Sequence, residues 1–210
     1  DTIFFTVKQD TTLMKLRAGV INGPKNPEFS FATTLTGEIR DRDAELLVDY
    51  KNGKGETGVL LGVNARPLFE GHGKGNGIAF TLIPENPIVA FQRFHFNENH
   101  NWIYLHKNMR VYANVDMWDE EGMGFRVHSV PGDTVSLQNI DVEIRRIRLQ
   151  EITSVLPYFP EITGLFSLEA HYIQTEKDLQ LSAEASVDEL TYERQRIGCL
   201  LYTSPSPRDA

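Results

Sequence analysis

A single cysteine, Cys199, occurs in the 210 residues, which excludes an intramolecular disulfide framework. Basic side chains are in the minority: 21 Lys and Arg stand against 29 Asp and Glu, for a net charge of −8. A nucleic-acid backbone needs a surplus of cations on one face, so it is not an expected partner. No run approaches the roughly 18 consecutive apolar residues of a membrane-crossing helix. Catalytic signatures are missing as well: no Gly-x-Ser-x-Gly turn supplies a serine nucleophile, and no cysteine pairs complete a zinc pattern. Neither an enzyme nor a cofactor is expected.

The two ends carry their own signals. Asp1 opens the chain without an initiator Met or a signal-peptide pattern, so the natural N-terminus is expected upstream. Cys199-Leu200-Leu201-Tyr202-Thr203-Ser204-Pro205-Ser206-Pro207-Arg208-Asp209 resembles the read-through translation of a transposase adapter used in sequencing libraries. Residues 199–210 are therefore read as a non-native tail, and residues 1–198 as one continuous β unit.

What the chain has in abundance is alternation. Apolar and polar residues take turns in Ile3-Phe5-Val7, Phe29 to Leu35, Leu46-Val48-Tyr50, Val59 to Ala65 and Ile78-Phe80-Leu82. The pattern continues in Val89 to Phe96, Trp102 to Leu105, Met109 to Met117, Phe125 to Val127, Ile140 to Ile144, Leu165 to Ile173 and Leu179 to Val187. A period of two puts one set of side chains on each face of a strand. Turn chemistry falls between the runs at Asn22-Gly23-Pro24, Asn52-Gly53, Asn76-Gly77, Pro84-Glu85-Asn86-Pro87, Glu121-Gly122 and Pro131-Gly132-Asp133. Short connections without intervening helices predict a mostly antiparallel meander. One exception is Arg148 to Tyr158, where Leu149, Ile152, Val155 and Leu156 fall at helical spacing and predict a short helix.

Two clusters invite a chemical reading and carry a plainer one. Gly71-His72-Gly73-Lys74-Gly75-Asn76-Gly77 leads into a strand, whereas a phosphate cradle needs a helix after it, so a hairpin connection is expected. His95, His100 and His106, even with Asp116, Asp119, Glu120 and Glu121, match no zinc spacing. No metal site is expected, and the acidic group reads as a hairpin tip.

The segments Pro84-Glu85-Asn86-Pro87, Ala90 to Phe96 and Trp102-Ile103-Tyr104-Leu105 resemble the central region of TamB-like proteins of the Bacteroidetes type. Downstream, a strand over Ile140 to Ile147, a short helix over Leu149 to Pro157, Ile162-Thr163-Gly164-Leu165 and a strand over Phe166 to Tyr172 are similar to a recurring unit of that family. The resemblance extends over about Ile78 to Gly198. It implies an elongated, curved, taco-shaped β-sheet from the AsmA-like, bridge-like group of envelope proteins. Such proteins are anchored in the inner membrane, cross the periplasm and work with an Omp85-type outer-membrane barrel. The implied task is non-enzymatic: an apolar groove guiding phospholipid acyl chains and supporting outer-membrane biogenesis.

On that reading the groove lining is Phe80, Leu82, Phe91, Val111, Val115, Phe125, Val142, Ile144, Leu168 and Leu181. The helix is expected to pack its apolar side against the inner face. The competing architecture is a closed β-sandwich or barrel, a binding or adhesion module whose apolar face is a sealed core. A glycoside-active protein would need two facing carboxylates.

Overall fold

The computed structural model describes all residues except 24–28, 69–75, 131, 134, 156–158 and 205–210. The turn positions Pro24 and Pro131 and most of the glycine-rich run lie outside the described residues.

The chain is all-β: one antiparallel, curved sheet, open rather than closed into a barrel, with one short helix. The strands run in order as β1 (Thr2–Gln9), β2 (Leu13–Asn22), β3 (Phe31–Arg40), β4 (Asp43–Asn52), β5 (Thr57–Leu68), β6 (Gly77–Val89) and β7 (Gln92–Arg93). They continue as β8 (His95–His106), β9 (Val111–Trp118), β10 (Gly124–Ser129) and β11 (Gln138–Arg148), and after helix α1 (Leu149–Ser154) as β12 (Ile162–Gln174), β13 (Leu179–Tyr192) and β14 (Gln195–Thr203). Each strand pairs with its neighbours in sequence; β7 alone stands off the path, paired to β6. β1 and β14 are the edges. Among the described residues no helix is long and apolar enough to cross a membrane.

The turns show how the sequence closes its hairpins. After β4, Asn52 accepts the backbone N–H groups of Lys54 and Glu56 on its Oδ1, both at 3.0 Å, and donates from Nδ2 to Glu56 at 2.7 Å. After β9, Asp119 Oδ1 accepts Glu121 N at 2.9 Å and Met123 N at 2.8 Å, while Gly122 takes φ 79°. These side chains stand in for backbone partners that a tight turn leaves open.

Between β10 and β11, Asp133 accepts Val135 N at 2.9 Å and Ser136 N at 3.0 Å, and Asn139 Nδ2 at 2.5 Å. Hydrogen bonds from Ser136, Asn139 and Val135 hold its carboxyl well below the usual carboxylate range. A depressed folded pKa contributes stability that is present above the unfolded value and lost only as pH falls through the folded one. The amide NMR shifts of Val135 and Ser136 are therefore expected to stay constant as pH falls past 3.8, the ordinary Asp value, and to move only in stronger acid.

Three expectations change in the structure. Pro84-Glu85-Asn86-Pro87 does not end a strand; it bulges within β6, because Gly62 pairs with Ile83 and Leu60 with Ile88, leaving residues 84–87 opposite Leu61 alone. The turn comes later, at Ala90-Phe91, where φ is 53° and 65°, so Val89 to Phe96 is a hairpin instead of one strand. The helix is shorter than Arg148 to Tyr158, spanning Leu149–Ser154 with no side chain buried. It lies against β12 and reaches β7 through Gln92 Nε2 donating to Glu151 at 3.3 Å. On its apolar side Leu149 and Val155 are half-buried and Ile152 is exposed, while Leu156 to Tyr158 lie outside the described residues.

Candidate functional site: an open apolar face and a histidine–aspartate cluster behind it

Cross-strand partners in an antiparallel pair share a face, and so do residues two apart along a strand. Register therefore traces each face across the molecule. From Phe5 the row runs through Ala18, Leu35, Val48 and Leu61. Two residues on, Val63 faces Leu82, and Ala65, Phe80, Ile103 and Ala113 form the next row. Past β9 the face continues as Met117, Phe125, Ile144 and Leu168, then Ala185 and Tyr202. Thus one apolar face crosses the sheet from β1 to β13, with Thr33, Asn101 and Ser129 among its few polar members.

The structure places Phe80, Leu82, Val111, Val115, Phe125, Val142, Ile144, Leu168 and Leu181 on this face. Phe91 is instead at the hairpin turn, its ring edge-on to Tyr50 of the same face with centroids 6.5 Å apart. Val115 is 1% exposed and Phe125 packs on the small core of Phe94, Met117 and Met123, so these two are covered and do not line open space. The covering elements are the residues around the β6–β7 hairpin and the start of β8, with Val89, Phe96 and Ile147 completing the packing.

Elsewhere the face is half-buried to exposed. Phe5 is 68% exposed and Leu181 51% exposed, and Ile3, Val20, Ile39, Leu46, Ile78, Leu179 and Leu200 are exposed too. On β2–β5 it forms a hollow of about 280 Å³ lined by Met14, Leu16, Gly37, Ile39, Ala44, Leu46, Val63 and Ala65, with Glu38 and Glu45 also bordering it. Gly37 lies in this hollow; a Cβ there would meet the Leu16 and Leu46 side chains at 3.5 Å, ordinary contact. Since an exposed residue has no packing to lose, Phe5→Ser and Leu181→Ser are expected to change unfolding free energy by no more than about 0.5 kcal/mol. Urea denaturation checks this, and solubility is expected to rise.

The opposite face is polar over β9–β14. Asp116 pairs with Arg126, Arg126 with Glu143, Glu143 with Glu169 and Glu169 with Glu184. A groove of about 730 Å³ crosses it, bordered by Arg126, His128, Asp141, Glu143, His171 and Glu184 among others. In it His171 Nδ1 contacts Asp141.

At the head of that groove lies a cluster no sequence spacing signals. Phe96 pairs with Met117 and Asn101 with Val115, so the β8 residues between them, Asn97 to His100, bulge over Asp116. This is why Asp116, on an outward face, is only 2% exposed. Its carboxylate accepts Asn97 Nδ2 at 2.6 Å, Arg126 Nη2 at 3.4 Å and the Trp118 indole N–H. Burial pushes its carboxyl up; the hydrogen bonds from Asn97, Arg126 and Trp118 and the Arg126 charge outweigh that, so the net direction is down. His100 Nδ1 lies 3.5 Å from Asp116 Oδ2, and the His100 and His128 rings meet edge to face with centroids 5.6 Å apart. Burial and then the Arg126 charge lower the His128 pKa.

The structure thus separates the histidines that stand close in sequence: His95 is exposed, His106 lies edge-on to Tyr112, and only His100 joins Asp116. Its partner is His128, which no local pattern links to it. Asn101, also unforeseen, ties β8 to β6: its amide donates to Leu82 O and accepts Leu82 N, each at 2.9 Å, where the ladder between these strands stops.

The chain matches no family model, no curated protein and no solved structure.

Proposed function

We propose that this chain is a segment of a lipid-guiding sheet, non-enzymatic, whose apolar face holds phospholipid acyl chains while the headgroups stay in water. One observation carries the reading: the apolar face is continuous from β1 to β13, and among the described residues no second sheet seals it. At about 4.8 Å per strand, the face spans roughly 50 Å, covered around Val115, Met117 and Phe125 and open on both sides of them. Exposed apolar surface on that scale marks an interaction site, not a monomer's ordinary exterior. An acyl chain gains about 0.8 kcal/mol for each methylene it buries, so ten methylenes contribute about 8 kcal/mol. The competing sandwich or barrel module needs a sealed core, and the sheet is a single open layer.

On this reading the segment belongs to a longer TamB-like, AsmA-like protein that bridges inner and outer membranes across the periplasm, with an Omp85-type barrel as the partner of the whole.

The test uses the purified chain incubated with phosphatidylethanolamine–phosphatidylglycerol vesicles. Photo-crosslinking residues at Leu46 and Leu181 on the apolar face are expected to capture phospholipid; the same probes at Thr36 and Ser182 on the other face are not. Gly37→Phe, which fills the hollow beside Leu46, is expected to abolish most capture at Leu46 and leave Leu181 labelled. Equal labelling of both faces, or none at Leu46 and Leu181, overturns the proposal.

A further inference from the structure

His100, Asp116 and His128 each offer a ligand atom, and these atoms lie within 4.8 Å of one another. They come from three adjacent strands, β8, β9 and β10. We propose that these three side chains form a binding site for a divalent transition-metal ion of the zinc class, with the remaining coordination position facing the polar groove.

The donor set is the first argument. Two imidazoles and one carboxylate suit zinc and its first-row neighbours, whereas calcium and magnesium require oxygen ligands throughout. Metal–ligand bonds of about 2.0–2.1 Å in a tetrahedron put ligand atoms about 3.3 Å apart. His100 Nδ1 and Asp116 Oδ2, at 3.5 Å, are already near that spacing. The His128 ligand atom lies within 4.8 Å of both, so it has at most about 1.5 Å to close.

The second argument is unfinished polar chemistry. His100 Nδ1 and His128 Nε2 are both cut off from solvent without a hydrogen-bond partner. Two orphaned ring nitrogens beside one buried carboxylate are costly unless a ligand completes them.

The surroundings fit a ligand shell. Asn97 and Trp118 donate to Asp116 and fix its orientation, as outer-shell groups do in metal centres. Arg126 is the competitor, since its Nη2 sits 3.4 Å from Asp116 Oδ2. It has somewhere to go: Nη1 is 3.3 Å from Glu143, and the guanidinium carbon lies 5.7 Å from the Trp118 ring centre. Asp141, paired with His128 across the β10–β11 ladder, adds a further negative charge near the site. Arg126 and His128 both border the polar groove, which leaves an approach from solvent.

The experiment is calorimetric titration of the EDTA-treated full chain with Zn²⁺, in a Cys199→Ser background so that the exposed thiol does not contribute. One saturable site of micromolar affinity or tighter is expected, and Co²⁺ is expected to show the visible absorption of a four-coordinate centre. His100→Gln and His128→Gln should each weaken Zn²⁺ by roughly tenfold or more, because loss of a direct ligand costs at least as much as loss of an outer-shell partner. His171→Gln, in the same groove, should leave affinity unchanged. Should a variant unfold, ¹⁵N spectra of the histidine rings in the wild-type chain decide, with Zn²⁺-dependent shifts expected at His100 and His128. No saturable binding at millimolar Zn²⁺, affinity indifferent to both Gln variants, or ring shifts confined to other histidines overturns the site.

Discussion

Phe94→Ala is expected to lower the free energy of unfolding by about 3–5 kcal/mol, the cost of truncating a buried aromatic and leaving a cavity. Phe94 is 3% exposed and packs on Met117 and Met123, with Val89, Phe96, Phe125 and Ile147 around them. That cluster is where the sheet is covered from above, so few other side chains stand ready to collapse into the gap. Domains of ordinary stability have about 5–15 kcal/mol in hand, so the loss removes a large share. A urea titration reads it as a lowered midpoint. The sharp contrast is with Phe5 on the same face, where truncation is expected to pass almost unnoticed.

Asp116→Ala is expected to cost about 3 kcal/mol, since removing one member of a buried polar network strands the others. The indole of Trp118, the amide of Asn97 and one arm of Arg126 all lose their acceptor. The Arg126 side chain is 38% exposed and has Glu143 as a second partner, which keeps the value at the lower end of the range for buried pairs. Asp116→Asn, similar in shape and still able to accept, should lose less. Thermal unfolding of the two variants beside the wild type checks the order.

The alternation of two was enough to read the all-β meander and, with it, the faces. Phe80, Val142, Ile144 and Leu168 fall on one side because the ladder preserves what the local pattern predicts. β2 escaped that reading: Ala18 and Gly19 at its centre dilute the contrast between its faces. β14 escaped because residues 199–203 were set apart as tail; Leu200 to Thr203 pair with β13 from Glu184 to Val187. The Ala90-Phe91 turn carries no turn chemistry at all. Asn-Gly is the usual occupant of such positive-φ positions, and here the Phe91 ring contact with Tyr50 accompanies the unfavourable backbone. The histidine–aspartate cluster was illegible for another reason. It depends on a bulge in β8 that lays His100 over Asp116 and on a register that brings His128 alongside, and neither is a property of spacing along the chain.

The meander also sets how this molecule can change size. With each strand except β7 bonded to its neighbours along the meander, energy is shared between nearest neighbours, as in a stack of repeats. Removing or adding one antiparallel pair away from the β6–β8 bulges would alter the reach of the sheet by about 10 Å while leaving every remaining interface as it was. The length of such a sheet is therefore adjustable two strands at a time, as one trims a ladder, rung by rung.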